Sequence, residues 1–254
     1  MRRILTLSLS ACAILAFTTL ARADDAADAK ALVQKALKAY GGEDKLTKVK
    51  AMIMKSKGTY YGMGDGIAYT ETTSWQYPDK VRSEIKADVK GEKFTLIEVF
   101  NGDKAWESTN GKTEEVTKDG MAESKESMYG HRVAMLYPLL DKAFTLTPIG
   151  EVKVGDKPAV GIKVAHKDHR DINILFDKKT NLIIKIETQV KDLTDKDKPK
   201  EVTQESFFDD YKDVDGIPQP HKMVIKRDGK KFVEAEMTEI KIVDKLEDKL
   251  FEKP

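Results

Sequence analysis

The sequence contains a single cysteine and carries almost no net charge. Its one cysteine, Cys12, lies in the N-terminal apolar run, so disulfides and thiolate chemistry are excluded for the rest of the chain. Lys and Arg number 44 against 43 Asp and Glu, which gives a formal net charge of +1. This balance argues against a nucleic-acid-binding protein, because phosphate recognition normally needs a basic surface.

Catalytic motifs are also lacking. The nucleophile motif Gly-x-Ser-x-Gly does not occur, and the glycine-rich "YGMGDG" lies between two predicted strands rather than between a strand and a helix. The adjacent carboxylates Asp209-Asp210 and Glu114-Glu115 point to opposite faces of an extended strand, so neither pair can act together as acid and base. We therefore expect neither enzymatic activity nor a cofactor.

Four histidines are present, and only His166 and His169 form a close pair. A two-residue turn between them would make the two rings cross-strand neighbours, near enough to share a metal ion with Asp168 or Asp171 as an oxygen ligand. A metal-assisted enzyme at this pair is one alternative. A turn rich in Lys and Arg is more often solvated, however, and the sequence predicts no metal site.

The N-terminus has the pattern of an export signal. Arg2 and Arg3 precede an apolar run that ends in Ala21-Arg22-Ala23, so we expect a signal peptide over residues 1–23, cleavage after Ala23 and a periplasmic protein. Leu9-Ser-Ala-Cys12 offers an alternative, a lipid-modified cysteine at Cys12. That cleavage would shorten the apolar run to about eight residues, which is short for a signal peptide.

The remaining chain alternates between two kinds of periodicity. A 3.6-residue period predicts an amphipathic helix over residues 26–40, ended by Gly41-Gly42, and a helical insertion over residues 120–144, which Gly130 and Pro138 divide into two short helices. A period of two elsewhere predicts roughly ten to twelve antiparallel strands. No linker interrupts the pattern, so we predict one α+β domain over residues 24–254.

Five stretches, in this order, carry a resemblance to a known family. They are "ALKAYGGEDKLTKVKAMIMKSKGTY", "SWQYPDKVRSEI", "VFNGDKAWE", "LFDKKTNLIIKIE" and "DDYKDVDGIPQPHKMVI". Together they make the chain similar to the LolA/LolB-like superfamily of periplasmic lipoprotein carriers, and most similar to the branch of outer membrane lipoprotein-sorting proteins. The resemblance spans nearly the whole chain after residue 23.

The resemblance implies a strongly curved antiparallel sheet that forms a half-open β-barrel, with helices as a lid over an apolar cavity. It also implies that the cavity holds acyl chains, and that Arg82 matches an arginine that helps such carriers engage or release cargo. In that half-barrel Trp106 would face the cavity. The candidate ligand-binding residues, in the cavity or the lid, are Met52, Met54, Trp75, Arg82, Ile97, Trp106, Met135, Leu136, Leu139, Ile184 and Met223.

Two functions follow from the resemblance. The first is a monomeric periplasmic carrier that binds lipid or lipoprotein acyl chains and transfers them toward the outer membrane, with inner- or outer-membrane transfer proteins as further partners. Burial of each methylene contributes about 0.8 kcal/mol, so binding needs no chemistry. The second is an envelope sensor or scaffold that uses the same groove to bind a protein partner.

Overall fold

A computed structural model describes residues 20–194 and 198–254, with side chains from residue 25 onward. The predicted signal peptide, residues 1–23, lies outside the described residues except for the backbone from Leu20. The helices of the described chain are α1 (Leu20–Ala39), α2 (Glu43–Leu46) and α3 (Lys118–Ala134), with 3-10 helices at Tyr137–Leu140 and Asp248–Phe251. Within the described ranges, none of the helices is both long enough and apolar enough to cross a bilayer.

Thirteen strands form one antiparallel sheet in the order β6-β5-β4-β3-β2-β1-β13-β12-β11-β10-β9-β8-β7. The sheet is not closed, and β6 and β7 are its two edges. The strands are β1 (Ala51–Tyr60), β2 (Ile67–Gln76), β3 (Lys80–Val89), β4 (Glu92–Asn101), β5 (Lys104–Thr109), β6 (Lys112–Glu115), β7 (Phe144–Val154), β8 (Lys157–His166), β9 (Ile172–Asp177), β10 (Ile183–Asp192), β11 (Lys200–Val214), β12 (Ile217–Arg227) and β13 (Lys230–Val243).

The sheet curls around α3. Strands β5 and β10 are eight positions apart in the strand order, which in a flat sheet would separate them by about 38 Å. Nevertheless, Met128 of α3 packs in a cluster with Ala105 of β5, while Glu123 of the same helix accepts a 2.9 Å hydrogen bond from the backbone N–H of Lys191 on β10. Because these two helix residues are only about 7.5 Å apart along the axis, the sheet must bend around the helix. We call the face that carries α1 and α3 the concave face and the other the convex face.

Helix α1 closes one end of the concave face. Its Val33 packs in the largest core with Val133 of α3, Leu139 and the strand residues Ile174 and Phe176, all of which are fully buried. The helix ends where the double glycine predicts, since the backbone N–H of residue 42 bonds to the carbonyl of residue 37 at 2.9 Å. At Gly41, with φ of +93°, a side chain would also collide with the carbonyl oxygen of residue 216.

Helix α3 is longer than the sequence predicts. Gly130 does not divide it, because buried Met128 and Val133 on either side hold the helix against the sheet. The helix ends instead at Ala134, two residues before Leu136, whose φ is +64°, and the 3-10 turn containing Pro138 follows. The helical insertion is therefore one helix of 17 residues and one 3-10 turn, rather than two short helices.

The C-terminal segment covers part of the convex face. Phe251, which is fully buried, packs against Val99 of β4 and Trp106 of β5. Its carbonyl oxygen accepts a hydrogen bond from the side-chain amide of Asn101 at 3.1 Å, and the hydroxyl of Thr113 donates to the carbonyl oxygen of the last residue at 2.7 Å. The segment after β13 is thus an integral layer over β4 to β6.

Candidate functional site

Helix α3 covers one part of the concave face with an apolar cluster. The buried members of this cluster are Met52, Trp75, Phe100, Ala105 and Met128. The strand register explains the grouping, because Met52 lies opposite Trp75, and Val81 lies between Trp75 and Phe100. In this register Met52, Met54, Trp75 and Tyr69 lie on one face of the sheet.

His131 joins α3 to this cluster. Its ring lies over Trp75 with the ring centroids 3.6 Å apart and the planes tilted by 38°. Burial lowers the pKa of His131 to about 4, because a charged imidazolium would lose its hydration there. The ring is therefore neutral at physiological pH and packs as an aromatic group.

A second part of the concave face is not covered by the helices. Among the described residues, at least nine of its apolar side chains are half-buried and lie outside the packed apolar clusters. A register row is the line of residues that are paired with one another across neighbouring strands. These side chains lie in three adjacent register rows, which cross six strands from β4 to β12. We call this the open concave surface, and its residues are Tyr60, Tyr69, Ile85, Phe94, Leu96, Met223, Ile225, Val233 and Met237.

The middle of the open concave surface has a tightly packed floor. A Cβ atom built at Gly58 would lie only 2.8 Å from the ring of Tyr69, so the tyrosine ring lies directly across this glycine of the neighbouring strand. Burial raises the pKa of Tyr69 to about 12, so its hydroxyl is uncharged. The aromatic ring thus fills the space that glycine leaves, and the surface stays apolar there. At the rim, the β1–β2 loop carries Met63, which is 73% exposed.

A polar row separates the open concave surface from the covered cluster. On β4, Glu98 lies between Leu96 of the open surface and Phe100 of the cluster. Its cross-strand neighbours are Ser83 and Glu107. Next to this row, Glu71 accepts hydrogen bonds from the hydroxyls of Ser83 at 2.7 Å and Thr73 at 3.0 Å. Carboxylates therefore lie on the concave face beside the apolar rows.

Polar contacts hold the first half of α3 against the β8–β9 turn and β10. Arg170 donates two hydrogen bonds to Glu123, at 2.9 and 2.7 Å, and both side chains are largely buried. Glu126 contacts His169 at 2.9 Å and accepts from the backbone N–H of Arg170 at 3.0 Å. Lys191 lies 3.2 Å from Asp119 at the start of the helix. These charge-assisted bonds fix the helix across the concave face.

We expect Arg170→Ala to loosen α3. The substitution removes a bidentate pair that is mostly shielded from water, and we expect it to lower the free energy of unfolding by about 1–3 kcal/mol. Amide hydrogen exchange in α3 should become faster than in wild type. Lys125→Ala is the control on the same helix, because Lys125 pairs with an exposed Asp103 and such pairs contribute little. Equal exchange in the two variants would contradict the role of Arg170.

The histidine pair lies at this contact. The rings of His166 and His169 are 5.3 Å apart, and His169 stacks on Tyr129 of α3 at 3.9 Å. Over residues 20–194 and 198–254, no group of three or more His, Cys, Asp or Glu side chains is arranged to hold a metal ion. In this structure the pair belongs to the α3 contact.

The sequence-predicted site residues are distributed over both faces. Met52, Met54 and Trp75 belong to the cluster under α3, and Met223 belongs to the open concave surface. Leu136 and Leu139 are buried in the main core, and Met135 caps the end of α3. Arg82, Ile97 and Trp106 lie on the convex face beneath the C-terminal segment, and Ile184 packs with Ala159 and Leu175 in a separate convex cluster.

Arg82 has a structural environment on the convex face. Its guanidinium donates to Glu84 at 3.3 Å and lines a cavity of about 390 Å³ together with Leu246 and Leu250 of the C-terminal segment. Strand β3 places Arg82 opposite Val99, whereas the preceding residue, Val81, faces the cluster under α3. Arg82 is thus separated from the open concave surface by the sheet itself.

Sequence reasoning missed most of the open concave surface. The signal was present in β4, where Phe94, Leu96 and Phe100 alternate on one face and Glu98 interrupts them. In β2, Glu71 interrupts an apolar face in the same way, but a strand by itself does not tell which of its faces is concave.

Comparison with known proteins identifies the fold. No family model and no curated protein matches the chain. Among solved structures, a DUF1329 family protein from Desulfovibrio piger matches with a TM-score of 0.55 and 14% identity, over 88% of this chain and 97% of that chain. A LolA superfamily protein from Nitrosomonas europaea matches with a TM-score of 0.55 and 9% identity, over 89% and 97%.

A third structure is a domain from Vibrio parahaemolyticus described as an outer membrane lipoprotein-sorting protein. It matches with a TM-score of 0.54 and 12% identity, over 89% of this chain and 97% of that chain. Identities this low establish the fold and not the ligand. The predicted resemblance is therefore confirmed at the level of architecture: the chain has a LolA-like fold.

Proposed function

We propose that the protein is a periplasmic carrier that binds lipid or lipoprotein acyl chains on the open concave surface and transfers them toward the outer membrane. The observation that carries this proposal is the set of nine half-buried apolar side chains that lie together on the concave face outside every packed cluster. Contiguous apolar surface that remains partly accessible to water is unfavourable and commonly marks a binding site.

The dimensions of the surface suit an acyl chain. Its three rows extend about 13 Å along the strands, and its six strands extend about 24 Å across them. Each methylene that leaves water on binding contributes about 0.8 kcal/mol. A dozen buried methylenes therefore supply ample gross energy without any reaction or cofactor, and release becomes the harder step for a carrier.

In this proposal α3 is a movable cover. The cluster under its middle contains Met52, Trp75 and Phe100, which lie on the same strands as the open concave surface, on the other side of the polar row. If the first half of α3 moves away, those side chains extend the apolar surface. The contact most directly tied to this step is Arg170 with Glu123, whose loss we expect to loosen the helix.

The proposed cellular location rests on residues 1–23, which have the pattern of an export signal. The carrier then consists of residues 24–254 as a single half-barrel domain. In that compartment the chain has no cysteine, so its stability depends on packing and not on disulfides.

The first test is native mass spectrometry of residues 24–254 purified from a bacterial periplasm without detergent. We expect an additional mass, from a phospholipid or an acylated species, that is lost under denaturing conditions. The released molecule would identify the class of cargo. Val224→Lys on the convex face provides a control preparation that should retain the same additional mass.

A clean unliganded mass, with no rise in melting temperature when lipids are added, would contradict the carrier. The same groove could then be tested with extended apolar peptides. Saturable peptide binding without lipid binding would support the sensor or scaffold alternative.

A further inference from the structure

The carboxylates on the concave face lie where an apolar ligand would have to pass or end. Glu98 separates Leu96 of the open concave surface from Phe100 of the covered cluster on the same strand face. Glu71 lies in the register row of Ile85, which in turn lies opposite Leu96. A ligand that occupies these rows therefore displaces water from at least two carboxyl groups.

Ionised carboxylates at these positions lower the stability of the folded protein, so their presence suggests a functional role. Glu98 lies directly opposite Glu107 on β5, and like charges in that arrangement repel each other. Half-buried apolar residues surround the carboxylates in the neighbouring rows, so an acyl chain there would contact ionised groups. A neutral carboxyl group would be far more compatible with such a ligand.

We infer that an apolar ligand on the open concave surface binds together with a proton, which is taken up by Glu98 in the neighbouring polar row. This inference rests on the proposed function, since it concerns the regulation of the same site. Ligand affinity then depends on pH in the range where Glu98 changes its charge.

The surroundings of Glu98 support this assignment. The side chain of Glu98 lies on the inside of the curve of the sheet and is exposed to solvent. Desolvation by the surrounding protein atoms, together with the charges of Glu107 and Glu71, raises the pKa of Glu98 to about 7. From β3 the facing neighbour is the uncharged Ser83.

From α3, the residues that pack over this half of the sheet are Met121, Met128 and His131, and His131 is uncharged because burial lowers its pKa to about 4. On the same helix, Lys125 pairs with Asp103 in the β4–β5 turn at 3.2 Å. The charges of Glu107 and Glu71 are negative, and both favour the protonated form of Glu98.

The direction of the pH effect follows from linkage. A ligand that covers Glu98 removes its remaining water and raises its pKa further, so the complex holds more protons than the free protein. Affinity is therefore highest below the free pKa of about 7 and falls as the pH rises above it. For uptake of one proton, we expect binding to weaken by about tenfold between pH 6 and pH 8.

The test is calorimetric titration with monopalmitoyl lysophosphatidylcholine, whose headgroup does not titrate in this range, at pH 6 and pH 8. Two buffers of different ionisation enthalpy measure the protons taken up. Wild type should bind about tenfold more weakly at pH 8. Glu98→Gln, a neutral side chain of the same shape, should bind equally at both pH values and release or take up no protons.

Glu236→Gln is the matched control, because Glu236 lies on the convex face of β13 and pairs with the exposed Lys57 at 3.2 Å. It should keep the wild-type pH dependence. Equal wild-type affinity at both pH values, or an unchanged pH dependence in Glu98→Gln, would overturn the proton coupling and leave the carrier intact. No binding by wild type at either pH would overturn both.

Discussion

Replacement of Trp106 by alanine is expected to lower the free energy of unfolding by about 3–5 kcal/mol, the usual range for removing a large buried aromatic side chain. Trp106 is only 9% exposed and packs with Val99 and Phe251 on the convex face. Little can move in to fill the space, because the C-terminal segment above it is held by its own hydrogen bonds. Chemical denaturation of wild type and variant measures the loss.

Binding of lysophosphatidylcholine by the folded Trp106→Ala variant should stay within about twofold of wild type, which is about 0.4 kcal/mol. Phe251→Ala removes the partner that packs on Trp106 from the C-terminal segment, and its effect on stability can be compared with that of Trp106→Ala. The two substitutions remove one shared contact, so their effects on stability should add to more than the effect of the double variant. A stable Trp106→Ala variant that no longer binds lipid would instead place this tryptophan at the ligand.

The second large effect is expected from Met223→Lys. Met223 is half-buried on the open concave surface, in the same register row as Tyr69. A lysine there can keep its ammonium group hydrated in the free protein, but an acyl chain would have to displace that water. We expect lysophosphatidylcholine to bind at least about tenfold more weakly, a change of about 1.4 kcal/mol.

Val224→Lys is the control for this substitution. Val224 is the next residue on β12, it is also half-buried, and its side chain faces the convex side, opposite Phe207. The two variants thus carry the same new charge on the same strand, on opposite faces of the sheet. If both lose ligand binding to the same extent, the ligand does not lie on the concave face.

Alternation and turn chemistry made much of the sheet predictable. The period of two predicts most of the thirteen strands, and the double glycine after Tyr40 correctly predicts the end of α1. Strand β6, Lys112–Glu115, was missed because its four residues carry no apolar alternation. Gly130 was given too much weight, since tertiary contacts of its neighbours outweigh its low helix propensity.

The site was less predictable than the sheet. Alternation assigns Trp75 and Trp106 each to one face of its own strand, but it does not say whether those faces coincide. Only the register from β2 through β3 and β4 to β5 separates them, with Trp75 aligned to Phe100 and Trp106 aligned to Val99. The cover formed by Phe251 involves a segment far along the chain, which no local pattern near Trp106 could reveal.

The strand order also bears on how the chain reaches this structure. In the described sheet, neighbouring strands are also consecutive in the sequence. The one exception is the pair β1 and β13, where Ala51 lies opposite Val243. Residues 51–115 and 144–243 are thus two meanders whose hairpins can form from local contacts. Pairing of β1 with β13 closes a much longer loop, so its entropic cost is higher. We expect the two meanders to form early and the seam between them to form last, and the open concave surface, which crosses that seam, to be completed only at the end of folding.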